Sequence, residues 1–149
     1  MTNIPVIEVE TYLIKRQENF FGTLGATPNR IASNIAGDAL VMGCTAVSVW
    51  TQDGWWLISG NVDWISIPNR SGVNHQNVFE TIWGMPEAGQ IHYWSPVMAR
   101  VFASATATRR GNDTSLIKGT PADLQQFLRI SAEAPHLNLV IGFKFQAAV

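Results

Sequence analysis

Leu137, Leu139, Ile141, Phe143 and Phe145 alternate with Asn138, Val140, Gly142, Lys144 and Gln146. A period of two places the first set on one face of an extended strand and the second set on the other. A strand with so apolar a face is unstable alone and needs neighbouring strands and a covering layer. The chain must therefore build a sheet. The alternation predicts that this strand, 137–146, is covered on one side only, as in an antiparallel sheet.

Its partners can be read upstream. Ile7, Val9, Thr11 and Leu13 alternate with Glu8, Glu10 and Tyr12, which predicts a strand from Ile4 to Ile14. Residues 44–67 read as a meander. Asp53-Gly54 supplies the positive φ angles of a tight hairpin between residues 45–50 and 55–59, and Gly60-Asn61 offers a second turn into 62–67. With two-residue turns, Trp50 lies opposite Leu57 and Leu57 opposite Trp64, on one face.

Four helices are expected. Thr27-Pro28 opens the first, about 28–36, with Ile31 and Ile35 inward, Thr27 as cap and Gly37 as its stop. A second spans about 74–83, with Val78, Phe79, Ile82 and Trp83 buried and Gly84 and Pro86 ending it. Ser95-Pro96 starts a third, about 96–103, followed by a strand that turns at Gly111-Asn112-Asp113 into 114–118. Thr120-Pro121-Ala122-Asp123 resembles a capping box and opens the fourth, about 121–133, with Leu124, Phe127 and Leu128 inward. The sum is an α+β fold, a mainly antiparallel sheet packed against several short helices.

At 149 residues the chain has the size of one globular domain, 1–149. Only 14% of residues are charged, and 37 Asn, Gln, Ser and Thr take their place. Typical chains carry about 25% charge, and interface cores are depleted in charge, so this composition favours a surface partly covered by a partner. The net charge of -1 leaves no basic surface to neutralise phosphates, so nucleic acid is not an expected partner. The longest charge-free run, Ala39–Gln52, is 14 residues and carries Thr45, Ser48 and Gln52, too short and polar for a membrane helix. With no basic segment leading into an apolar core near Met1, a cytoplasmic, soluble protein is expected. The lone Cys44 lies in an apolar stretch without a nearby base, as a small core residue would.

The glycine-rich phosphate loops, the paired-histidine zinc helix, the serine elbow and the Cys-x-x-Cys pattern are all absent. His75, His92 and His136 are far apart, without the spacing of a zinc site, so no metal or cofactor is expected. Glu8 and Glu10, about 6.6 Å apart along one strand face, read as charges guarding an edge rather than as an acid/base pair. The six tryptophans, 50, 55, 56, 64, 83 and 94, all fall in one stretch. Trp55 and Trp56 must point to opposite sides of a strand, so one side of the sheet could carry a tryptophan-rich patch, and tryptophan is enriched at binding hot spots.

The candidate site is Trp50, Trp55 and Trp64, with Asp63, His92, Tyr93 and Arg100 as polar groups beside them. The expected function is a non-enzymatic interaction module that holds a protein partner or pairs with itself, a class in which an immunity- or inhibitor-like accessory protein is one member that the sequence does not single out. The competing expectation is a small-molecule binding protein or enzyme with a pocket between sheet and helices. There Asp63, His92 and Glu80 would act as acid/base groups and Arg100 would pair an anionic substrate.

Overall fold

The computed structural model describes residues 27–65, 77–80, 83–84, 92–93 and 95–145. The expected strand at 4–14, including Glu8 and Glu10, lies outside them, as does His75. The elements are α1 (Pro28–Val41), β1 (Val47–Gln52), β2 (Trp55–Gly60), a 3-10 turn (Asn77–Phe79), β3 (Trp83–Gly84), β4 (His92–Tyr93), α2 (Ser95–Phe102), β5 (Ala105–Arg110), β6 (Asp113–Lys118), α3 (Pro121–Ser131) and β7 (Leu139–Lys144).

Five strands form one sheet in the order β1-β2-β7-β5-β6, antiparallel throughout, and β3 pairs with β4 separately. This is the expected α+β arrangement. The first hairpin turns at Asp53 (φ 53°) and Gly54 (φ 85°), both left-handed, as its two-residue loop requires. Trp50 stands opposite Leu57, the expected register. The second hairpin also follows expectation: α2 ends, β5 begins, and Gly111 (φ 56°) turns the chain into β6. α3 carries the complete capping box: Thr120 Oγ1 accepts from the Asp123 backbone N–H, and Asp123 Oδ2 accepts from the Thr120 N–H.

Helices cover both faces. Ile58, Leu139, Ile141 and Phe143 pack with Ile31, Ile35 and Ala39 of α1 and Val97, Met98 and Ala99 of α2. On the other face Trp55, Leu57, Ala105, Ala107 and Val140 pack with Phe127 and Ile130 of α3. Here the structure corrects the expected one-sided strand. β7 is the middle strand, buried on both faces. Val140 and Gly142, small enough to pass for a solvent-facing set, make room for α3.

Other boundaries also differ. The meander has no third strand within its described part: Asn61–Ile65 turn away, and β7 takes the free edge of β2, with Leu57 opposite Gly142 rather than Trp64. The turn is stitched by Asn61, whose Oδ1 accepts from the Thr45 and Ala46 N–H groups and whose Nδ2 donates to Thr45 Oγ1. It folds Trp64 back over Gly60, where a Cβ would come within 2.8 Å of the indole.

α1 runs through Gly37 to Val41, because burying Ala39 and Met42 outweighs the roughly 1 kcal/mol that a helical glycine costs. Thr27 makes no side-chain cap; its hydroxyl donates to Asn29 Oδ1. Of the helix expected at 74–83, residues 74–76, 81 and 82 lie outside the described residues; Asn77–Phe79 form a 3-10 turn that buries Val78 and Phe79, and Trp83 is in β3. In α3 the buried stripe is Phe127, Ile130 and Ser131, with Leu124 and Leu128 only half-buried.

Candidate interaction surface

The tryptophans expected to form a surface patch divide between the two cores. Trp55 is fully buried on the α3 face. Its ring centroid lies 5.5 Å from that of Phe127, and its indole N–H donates to Gln126 Oε1 at 2.7 Å. Trp64 is fully buried on the α1 face, its indole nitrogen without a hydrogen-bond partner among the described residues. Trp50 is half-buried against the α3-side cluster. Only Trp50 of the three is therefore placed to meet anything outside the molecule.

Two of the polar candidates have partners within the fold. Asp63 forms an ion pair with Arg110 at 3.7 Å. Arg100, on α2, donates from Nε to the Phe79 carbonyl at 2.9 Å. The Arg100 carbonyl in turn accepts from Lys118 Nζ, a cation at the helix C-terminus where the dipole favours one. His92 and Tyr93 form β4, opposite Gly84 and Trp83 respectively. Glu80 is exposed. No group of three or more metal-ligating side chains occurs among the described residues. Cys44 is buried, and burial pushes its thiol pKa up, away from nucleophilic use.

The described surface includes two shallow depressions among others. One is lined by Ala122, Asp123, Gln125, Gln126, Arg129 and Lys144. Lys144 Nζ donates there to Gln126 Oε1 at 3.1 Å and lies 3.9 Å from Asp123, so its charge is already shared within the fold. The other lies between α2 and the end of β7, around Ser104, Lys118 and Phe145. Neither has the deep, mostly apolar walls of a small-molecule site.

The strongest surface feature is one that residue types alone did not mark. Among the described residues three large apolar side chains are exposed: Leu40 (55%) and Val41 (51%) at the end of α1, and Val49 (45%) on β1. Val49 stands opposite Ile58, whose side chain packs on the α1 face, so Val49 shares that face with α1. The helix packs over β1 and β2. Val49 lies on the strand itself, and Leu40 and Val41 stand at the end of the helix that packs over it.

β1 is an edge strand of the sheet, and its main chain is open among the described residues. Gln52 and Trp55 close the two-residue hairpin, and the Ala46 carbonyl accepts from the Asn61 N–H at 3.2 Å. Even-numbered residues of β1 therefore bond inward to β2. By the alternation of antiparallel ladders, Val47, Val49 and Thr51 point their N–H and C=O groups outward.

The strand carries no charge and no proline, the devices that usually blunt an edge. The opposite edge, β6, has both a charge and a kink. Asp113 and Lys118 stand at its ends, and its pairing with β5 shifts between Thr106 and Ala107, leaving Ile117 as an extra residue. Compared with known proteins, the chain matches no family model, no curated protein and no solved structure.

Proposed function

We propose that the chain is a non-enzymatic interaction module that binds a protein partner or a second copy of itself. The observation that carries this reading is the β1 edge: an unblunted row of main-chain donors and acceptors among the described residues, with Val49 exposed on the strand and Leu40 and Val41 exposed at the end of α1. Exposed edges accept added strands, with main-chain hydrogen bonds giving affinity and neighbouring side chains giving selectivity. Low overall charge supports the same reading. The tryptophan contribution narrows to Trp50, the half-buried side chain on this strand.

The test is affinity purification of the tagged full chain from its host, alongside Val49→Lys and Leu40→Glu variants. A polypeptide retained in stoichiometric amount by the native chain and lost with the variants is the expected result. Native chain that retains no polypeptide, neither a different protein nor an untagged copy, overturns the reading.

A further inference from the structure

We propose that the partner at this edge is a second copy of the chain, paired β1 to β1 in antiparallel fashion about a two-fold axis through Val49. This rests on the interaction-module reading and names its partner. A two-fold axis perpendicular to a sheet joins two identical edges antiparallel, keeping each strand's faces on the same side. Facing residues must then be both odd or both even in number.

Centring the axis on Val49 places Val49 opposite its own copy, Val47 opposite Thr51, and Ser48 opposite Trp50. The outward-facing main-chain groups are those of Val47, Val49 and Thr51, so every facing odd pair exchanges hydrogen bonds. That gives about six across the junction.

Charge agrees with this occupant. An edge of Val47, Ser48, Val49, Trp50, Thr51 and Gln52 meets its own copy without setting like charges opposite each other. The exposed side chain of Val49 packs on itself, and half-buried Trp50 gains cover beside Ser48.

The test uses the full chain. Sedimentation equilibrium should give the mass of two chains. Val49→Lys and Val49→Pro should each give one chain with an unchanged circular dichroism spectrum. Proline is tolerated at position 49 because the N–H it removes faces away from β2.

Oxidation tests the register. Val49→Cys should crosslink, since directly opposed hydrogen-bonded residues have Cα atoms about 5.5 Å apart. Val47→Cys should not, because four residues of stagger separate its two copies by roughly 13 Å. A native dimer that persists in both Val49→Lys and Val49→Pro overturns the proposal, as does crosslinking of Val47→Cys in preference to Val49→Cys. A native monomer also overturns it, including one whose Val47, Val49 and Thr51 amides resist hydrogen exchange because the edge is covered from within the chain. If the monomer still retains a different protein on purification, self-pairing fails while the interaction-module reading stands. If it retains nothing, both fail.

Discussion

At Gly142 the middle strand passes so close to α3 that no side chain fits. A Cβ there would lie 2.5 Å from a Phe127 ring carbon and 3.3 Å from Trp55. Neither ring can retreat, because both are fully buried and packed on each other. Gly142→Ala should therefore destabilise the protein by about 2 kcal/mol, the usual scale of overpacking, read as a lowered midpoint in urea unfolding. A midpoint equal to the native one would mean that α3 can lift off the sheet at no cost.

Asp38 is the other residue whose setting decides its chemistry. One carboxylate oxygen is buried with no hydrogen-bond partner among the described residues. Desolvation raises its pKa from the ordinary 3.8 to about 7, opposed by a hydrogen bond with Ser95. In the unfolded chain it ionises near the ordinary value. Below that pH both states hold the proton. As pH rises toward 7, the unfolded chain releases a proton that the fold retains, so stability falls and stays lower once the folded group ionises. Asp38→Asn should flatten this fall and add about 2 kcal/mol at pH 8. Denaturant titrations at pH 4, 6 and 8 check it, and an unchanged pH slope would show that the carboxyl is solvated. Nothing in the spacing of Asp38 distinguishes it from a surface acid, because its burial comes from the approach of α2, far along the chain.

Elements whose signals lie within a few residues were legible before the fold was known. The Asp53-Gly54 hairpin, its Trp50–Leu57 register, the Gly111 turn and the Thr120 capping box all depend on local geometry. The capping box contributes as such boxes do: Thr120→Ala should cost about 1 kcal/mol of stability, measured by thermal unfolding. Thr120→Ser should cost little, because it keeps the oxygen that accepts from Asp123.

Elements that depend on distant partners were not legible. The alternation of β7 gave a strand but not its neighbours, and small residues on its second face looked like a solvent side. Trp64 reads as a strand residue until Asn61 is seen tying the turn to Thr45 and Ala46. Trp55 reads as a surface anchor until its indole finds Gln126, 71 positions away. The edge status of β1 is likewise a property of strand order, which no spacing within 47–52 encodes.

At the scale of the whole molecule, the sheet is a shared wall between two cores. The larger core holds α1 and α2, and the smaller core holds α3. Its middle strand contributes alternate residues to each, so loss of packing on one face loosens the backbone that the other face rests on. Phe127 is the centre of the smaller core, fully buried against Trp55 and over Gly142. Phe127→Ala should cost about 3–5 kcal/mol, the range for a buried aromatic cut to a methyl group.

The two cores should unfold together, because Trp55 and Trp56 are consecutive residues of β2 that pack on opposite faces. In the Phe127→Ala protein, tryptophan fluorescence and far-ultraviolet circular dichroism should lose signal at one common denaturant midpoint, lower than the native one. Two separated transitions, with α3 and the Trp55 environment lost first and the α1–α2 side surviving, would show instead that the larger core holds the sheet by itself.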